Sequence, residues 1–365
     1  MSEPYKVVGE AGSHCIGPDV CRNCHLAWRG CPNVELSQEE IEEIKLKLKL
    51  KPKRERRTEN MRIGIYCPKQ LGIPLRWVPN LFGEILNELG YDVHYEYRAP
   101  QCSSDDITFM WCFYNHGFEE AGDWRLVKEL SKCAVWVNTE QIALGLRPLE
   151  LAKPFIDVVV DLFLEHRETE MDYELGLPVF SMPFGYHPSM TFKNLEFFEH
   201  PEINYKWDVF LMEYPKTKPH YGDYNRDRLH KVLEDNHIKV FDGLPIYHPK
   251  QIAVYAKYAR VCLCTHAALG QMIPPIKVIG QYIANGGFVL HQKPKIVHPY
   301  LEDWKHIVYF DEDDMIEKIH YFISRQDEAR GIAKQAFEFV STKLLWKDLI
   351  KNTMTELEKF LEMRN

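Results

Sequence analysis

The sequence has no long apolar run, no overall excess of positive charge and no glycine-rich dinucleotide fingerprint. No segment reaches the roughly 20 apolar residues that a membrane-spanning helix requires. Residues 1–30 contain no continuous apolar core, so we expect no signal peptide and a cytoplasmic protein. The loop after the first predicted strand lacks a GxGxxG pattern, which argues against a dinucleotide site there. The net charge of −8 argues against a wholly basic nucleic-acid binder but leaves local basic patches open.

The length and composition predict a folded protein of two domains with an appendage. The chain has 365 residues, of which 45% are hydrophobic and 13% aromatic, enough to build sizeable cores. Outside the N-terminus, the cysteines lie mostly on strand-like segments: Cys67, Cys112, Cys133, Cys262 and Cys264. This distribution is typical of reduced, buried thiols in a cytoplasmic protein.

The N-terminal residues 1–36 form a cysteine-rich module. Four cysteines stand close together there: Cys15, Cys21, Cys24 and Cys31. Thiolates clustered around a Cys-x-x-Cys can close around Zn²⁺ or hold an iron–sulfur cluster, since both ions take soft sulfur ligands. We expect a bound metal, with zinc favoured over an iron–sulfur cluster. Free thiols, or disulfides in an oxidising compartment, are the alternatives.

Residues 37–60 read as a basic helical linker. Ser37-x-x-Glu40 is a capping box that can begin a helix. Residues 45–57 then carry eight lysines or arginines against one acid, Glu55. Such a run beside a cysteine cluster favours contact with the phosphate backbone of nucleic acid. A solvated linker is the equally good alternative.

From residue 61 onward, apolar strands alternate with helical segments, which predicts parallel, doubly wound sheets. We assign residues 61–200 to a first Rossmann-like domain and residues 201–343 to a second. A terminal helix occupies 344–365. In sheets of this kind, ligands lie beyond the carboxyl ends of the strands.

The most informative stretch runs from residue 259 to residue 290. It reads as a buried strand at 261–265, a loop, a helix from about Lys277 to Asn285, a Gly-Gly turn and a second buried strand at 288–291. This βαβ unit points a helix N-terminus at the end of a strand, an arrangement that suits an anionic group. Lys277 lies in the first turn, where its ammonium group can meet a phosphate.

The same stretch resembles a known family. Pro275-x-Lys277, followed by Gln281-Tyr282-x-Ala284-x-Gly286-Gly287, is similar to the donor-binding helix of GT-B glycosyltransferases, nearest to the CgeB-like, group-1 type. That pattern is Pro-x-Arg/Lys, an acidic residue, then Ala-x-Gly. Two departures are visible: Gln281 occupies the acidic position, and Lys277 stands one residue further from it than usual.

The resemblance implies a GT-B architecture of two Rossmann-like domains facing across a cleft, with the terminal helix packing back on the first domain. It implies that Lys277, near Pro275, holds the diphosphate of a nucleotide sugar, with a UDP-sugar the expected donor. Gln281 would contact the ribose through hydrogen bonds weaker than those of a carboxylate. His266 matches a family position near the donor, and Arg228 lies near a helix start where the family commonly has an arginine.

Two side chains at predicted strand ends of the first domain could act as the catalytic base. An inverting transfer needs a group that accepts the proton of the attacking hydroxyl, and Glu140 and His116 have suitable chemistry. Glu140 could instead be a helix N-terminal acid, and His116 a loop histidine bonded to backbone. GT-B enzymes generally use no catalytic metal, and we expect none here.

The sequence therefore predicts a glycosyltransferase, moving a hexosyl or pentosyl group to a hydroxyl acceptor. The sharper hypothesis is a hydroxymethylated base in viral DNA, reached through the basic 45–57 segment. The alternative is a catalytically degenerate GT-B protein that binds nucleic acid or another partner through its cysteine-rich module. A nucleotide-sugar epimerase of the same fold is a third reading.

Overall fold

A computed structural model describes thirteen parts of the chain. They are residues 61–67, 77–96, 105–111, 121–139, 149, 152–162, 176–191, 205–211, 226–242, 249–265, 275–294, 297–311 and 313–364. The N-terminal cysteines and the basic segment lie outside these ranges, as do Glu140, His116 and His266.

The first sheet has six strands, all paired in parallel. In chain order they are β1 (Arg62–Tyr66), β2 (Asp92–Glu96), β3 (Ile107–Trp111), β4 (Cys133–Asn138), β5 (Val158–Asp161) and β6 (Val179–Ser181). Their spatial order is β2-β1-β3-β4-β5-β6. The order reverses between β1 and β3, which is the point where open α/β sheets bind ligands beyond their carboxyl ends.

The apolar composition of these strands follows from burial on both faces. Every residue of β3 and β4 is buried, as expected for a parallel sheet that is covered by helices on each side. Helix α1 (Trp77–Glu88) covers one face and packs Phe82 against Phe109, with ring centroids 4.9 Å apart. Helix α2 (Ala121–Leu130) covers the other face, where Trp124 meets Trp136 edge to face at 5.3 Å.

The second sheet has five parallel strands in the order β8-β7-β9-β10-β11. They are β7 (Trp207–Leu211), β8 (Val240–Asp242), β9 (Ala259–Cys264), β10 (Val289–Gln292) and β11 (Val308–Phe310). This order again reverses beside the first strand of the sheet, between β7 and β9. The predicted pair of parallel, doubly wound sheets is therefore confirmed.

The helices of the second half are α3 (Arg226–Asp235), α4 (Pro249–Tyr258), α5 (Met315–Ser324), α6 (Gln326–Lys343) and α7 (Trp346–Arg364). A π-helix (Ile276–Tyr282), continued by a short 3₁₀ turn (Ile283–Asn285), lies between β9 and β10. Among the described residues, no helix combines the length and the apolar character needed to cross a membrane.

Helix α7 follows the second sheet in sequence but packs on the first. The Thr353 hydroxyl donates to the backbone carbonyl of Ser181 at 2.8 Å, and the Tyr91 hydroxyl donates to Glu358 at 2.7 Å. At the end of the helix, Arg364 pairs with Asp157 at 2.6 Å. We call the first sheet with its helices and α7 the first lobe, and the remaining elements from β7 to α6 the second lobe.

Asp157 is a buried carboxylate at the amino end of β5. Burial alone would raise its pKa, but hydrogen bonds from Lys128, from the backbone N–H of Ala134 and from Arg364 outweigh that effect and lower the pKa. The charged form is therefore the stable one at neutral pH. This carboxylate fastens α2 and the last turn of α7 to the sheet.

Candidate functional site

The chain connects the two lobes at two places, and these crossings are hydrogen-bonded to each other. The first crossing, residues 182–191, follows β6, and the second, residues 344–346, runs from the end of α6 to the first residue of α7. The Tyr186 N–H donates to the carbonyl of Leu344, and the Trp346 N–H donates to the carbonyl of Tyr186, each at 2.8 Å. The two crossings thus run side by side, hydrogen-bonded to each other, where the chain passes between the lobes.

The predicted strand–helix–strand unit lies beside this junction, and most of its helix is a π-helix. The sequence predicted a helix from about Lys277 to Asn285 without specifying its type, and the structure has a π-helix over Ile276–Tyr282 that continues as the 3₁₀ turn Ile283–Asn285. The Ile283 N–H donates to the carbonyl of Val278, five residues earlier, as well as to that of Ile279. The wider turn takes up one additional residue, and such turns are frequent at functional sites.

The ends of this helix have clear local causes. Pro275 is buried at the N-cap position with helical φ and ψ of −66° and −34°, and its missing N–H removes no helical hydrogen bond there. Gly286 ends the 3₁₀ turn with φ of 72°, in the left-handed region that glycine adopts without strain. β10 then pairs in parallel with β9, aligning Leu290 with Leu263.

Lys277 is buried between the π-helix and the sheet. Its exposed fraction is 8%, and no other lysine among the residues that the structure describes is buried. Its ammonium nitrogen lies 6.0 Å from the centroid of the Tyr282 ring. Burial raises the pKa of the Cys262 thiol, the neighbouring Cys264 adds to this, and the charge of Lys277 opposes it. Buried lysines are rare because dehydrating an ammonium is costly, so this position is a candidate functional site.

Gln281 follows Lys277 by four residues and is also buried, with 4% exposure. Its backbone carbonyl accepts a hydrogen bond from the Asn285 side chain at 3.0 Å, which holds the last turn of the unit together. Arg228 has a different setting, because it is exposed in the first turn of α3. The structure therefore brings Pro275, Lys277 and Gln281 together and leaves Arg228 on a surface.

The carboxyl ends of the neighbouring strands carry further buried polar side chains. Thr265 follows β9, and His291 and Gln292 end β10, all with less than a tenth of their surface exposed. In the connection to β11, burial lowers the pKa of His298 to about 3, so this imidazole is neutral. Lys277 thus carries its charge in a buried setting near these polar side chains, and burial strengthens the attraction of that charge for an anion.

The first lobe has a buried polar group at the carboxyl end of its sheet that the sequence analysis missed. Asp161 ends β5 without any exposed surface and accepts a hydrogen bond from the Asn138 side chain at 2.8 Å. The next residue after Asn138, Thr139, is 5% exposed, and its hydroxyl makes no hydrogen bond within the described part of the chain. An acid directly after three valines was the available signal, since apolar strands seldom end in a buried carboxylate.

The two predicted bases and the metal ligands remain untested. Glu140, His116 and His266 lie outside the described residues, as do Cys15, Cys21, Cys24 and Cys31. Across the described ranges, no three His, Cys, Asp or Glu side chains are grouped so that they could hold a metal ion.

Comparisons with known proteins agree with this geometry. Residues 220–355, which include β9, the π-helix and β10, match a family described as glycosyl transferase-like. No curated protein matches the sequence. The CgeB-like placement stays a prediction.

Several solved structures share the fold at low sequence identity. A sucrose-phosphate synthase from Thermosynechococcus elongatus superimposes with a TM-score of 0.58 and 12% identity, covering 84% of this chain and 100% of that one. Anabaena Alr3699/HepE in complex with UDP and glucose gives a TM-score of 0.54 and 11% identity, covering 82% and 100%. A glycosyltransferase from Rickettsia africae ESF-5 gives 0.53 and 11%, covering 84% and 100%. The sheets and these superpositions show the GT-B fold, and residues 220–355 are similar to a family described as glycosyl transferase-like.

Proposed function

We propose that the protein transfers a sugar from a UDP-sugar to a hydroxyl acceptor. The observation that carries this proposal is the burial of Lys277 in the first turn of the helix within the segment that matches the glycosyl transferase-like family. The HepE structure, which has the same fold, was solved with UDP and glucose, and this supports UDP as the nucleotide.

The chemistry requires a leaving group that is stabilised as the bond breaks. The bond between the anomeric carbon and the diphosphate oxygen breaks, a bond to the acceptor oxygen forms, and the acceptor proton passes to a base. Negative charge grows on the leaving UDP, and a cation held in a dehydrated site stabilises it more than one in water. Lys277 supplies that cation at the start of the π-helix, beside Pro275.

The other roles follow from position in the chain. Gln281 lies next to Lys277 and would bind the ribose hydroxyls, His266 would lie near the donor, and Arg228 would reach it only from the surface of α3. Either Glu140 or His116 would act as the base in an inverting reaction. The buried Asn138–Asp161 pair adds a polar group at the carboxyl ends of β4 and β5 in the first sheet.

The test is direct binding and turnover. Titration of UDP into the full chain by calorimetry should give a saturable Kd, and UDP-glucose should be hydrolysed slowly even without acceptor. A panel of nucleotide sugars, screened by thermal shift, should show the largest stabilisation for the true donor, because ligands that bind only the folded state raise Tm. Nucleotide binding without hydrolysis or transfer would favour the degenerate binding protein, and absence of nucleotide binding would overturn the transferase proposal.

A DNA acceptor is a second proposal, carried by the cysteine-rich module and the eight basic residues within 45–57. A hydroxymethylated base would have to be flipped out of the duplex to reach the cleft. A gel shift with duplex DNA should weaken steeply with salt and disappear when residues 1–60 are deleted. No binding at low salt would remove this acceptor while leaving the transferase proposal intact.

A further inference from the structure

The π-helix touches the first lobe at a position that has room only for glycine. A Cβ atom on Gly280 would lie 2.8 Å from Cε1 of Phe184 and 3.3 Å from the Trp77 ring. Real Cβ atoms essentially never approach another heavy atom within 3.0 Å. Trp77 begins α1 of the first lobe, and Phe184 belongs to the first crossing, directly after β6 of that lobe.

The aromatic partners of Gly280 have little freedom to move. Phe184 has no exposed surface, and its ring lies 4.6 Å from the ring of Trp346 and 6.1 Å from that of Trp77. Trp346 is part of the second crossing and is also fully buried. Phe184 is therefore packed between the two crossings and the π-helix, and closely packed cores resist displacement.

A second contact joins the same helix to the same crossing. The Thr191 hydroxyl donates to the carbonyl of Ala284 at 2.8 Å and also contacts the Tyr186 hydroxyl at 2.9 Å. Gly280 and Ala284 are four residues apart, so the first crossing holds the π-helix at two successive places.

These contacts are less than one turn from the proposed UDP-binding side chains. Gly280 lies three residues after Lys277 and immediately before Gln281. A shift of the helix at Gly280 therefore displaces both side chains relative to the acceptor edge of the first lobe.

We propose that Gly280 is a positioning residue for the transfer reaction. Its close contact with Phe184 sets how the helix that carries Lys277 and Gln281 is placed against the first lobe, and so sets the distance between donor and acceptor. This inference rests on the proposed function. It assigns Gly280 no contact with substrate.

The test separates positioning from donor binding. Gly280→Ala should lower kcat for UDP-glucose turnover by about ten- to a hundredfold, because misplacements of about 1 Å have effects of this size. The Kd of UDP should change by less than about threefold, since Lys277 and Gln281 stay on one helix. Adding Phe184→Leu to Gly280→Ala should restore much of the lost kcat by removing the clashing ring.

Gly331→Ala is the matched control. Gly331 lies in α6, where a Cβ atom would meet nothing within 4 Å, so this variant should keep wild-type kcat and Kd. If Gly280→Ala does not fold, Thr191→Val removes the hydrogen bond to Ala284 without adding volume and should give a smaller loss of kcat, about threefold, with Kd unchanged.

Three outcomes would overturn the inference. An unchanged kcat in the folded Gly280→Ala variant, or in Thr191→Val where Gly280→Ala does not fold, would show that the contact does not position the donor. A loss of kcat that Phe184→Leu fails to rescue would assign the effect to something other than this contact. A wild-type protein that binds no UDP would remove the proposed function, and this inference with it, before any variant is compared.

Discussion

Replacing Lys277 by methionine should separate function from stability, because nucleotide affinity is expected to change far more than the folded fraction of the protein. Methionine keeps the long apolar stem that packs between the π-helix and β9 but removes the charge. With 8% of Lys277 exposed, the charge is held where dehydration is costly. Because methionine fills much of the same volume, we expect the free energy of unfolding to change by no more than about 1–3 kcal/mol.

The loss of nucleotide affinity should depend on the phosphates of the ligand. A charge-assisted hydrogen bond to a phosphate contributes about 1.5–3 kcal/mol, which corresponds to a Kd for UDP weakened about 10- to 150-fold. Uridine has no phosphate, so its weaker binding should be nearly the same in both proteins. Calorimetry with UDP and with uridine, together with urea unfolding, measures all three quantities.

Lys351→Met is the control, since Lys351 lies on the exposed side of α7 and should affect neither quantity. Equal UDP affinity for wild type and Lys277→Met would refute the assignment of Lys277 to the diphosphate. A fall of several kcal/mol in unfolding free energy with UDP affinity retained would show that this lysine is structural.

Three further predictions concern stability and metal content. The pKa of Asp157 is lowered by its hydrogen bonds, so its contribution to the free energy of unfolding is present above the unfolded pKa of about 3.9 and is lost as pH falls through the lower folded value. Urea unfolding should show that Asp157→Asn costs about 1–3 kcal/mol at pH 7 and progressively less as the pH falls below about 3.9; a cost that does not change with pH would contradict this. Burial lowers the pKa of His298 to about 3, so as the pH falls below 7 this histidine takes up a proton in the unfolded chain but not in the folded one. The free energy of unfolding should therefore fall by about 2 kcal/mol between pH 7 and pH 5. A His298→Gln variant whose free energy of unfolding depends on pH as steeply as that of wild type would contradict this. The purified full chain should contain close to one zinc by elemental analysis, and Cys21→Ser with Cys24→Ser should abolish it; iron instead of zinc, or no metal in the wild type, would contradict this part.

The fold was predictable because parallel sheets buried on both faces have a strong signature in sequence. Segments such as Ile107–Trp111 and Val158–Asp161 are short apolar runs between helical segments, and that alternation permits few other architectures. The family resemblance added the GT-B arrangement, which apolar patterning alone does not specify.

The type of the helix between β9 and β10 was not predictable in the same way. Ile276–Tyr282 is buried at six of its seven residues, so its hydrophobic residues show no clear period that would distinguish α from π winding. The wider spacing between Lys277 and Gln281 relative to the family pattern was the available signal. The close approach of Gly280 to Phe184 depends on residues almost a hundred positions apart, and no local pattern encodes it.

Asp161 was missed for a related reason. A single acid at the end of an apolar run looks like the start of a solvent-exposed loop, and only the neighbouring strand shows that it is covered and bonded to Asn138. Likewise, the sequence placed Lys277 in a first helical turn, but the direction and burial of its side chain depend on how the helix lies on the sheet.

The position of α7 has a consequence for folding during synthesis. Trp346 packs beside Phe82 and Phe184, and Thr353 bonds to Ser181, so the core of the first lobe includes a helix that leaves the ribosome after the whole second lobe. The apolar face of the first lobe therefore stays uncovered until α7 is made, whereas all elements of the second lobe are made before it. This reverses the usual order, in which the N-terminal domain folds first. Nascent chains stalled after residue 343 should accordingly recruit chaperones through their earliest-made half.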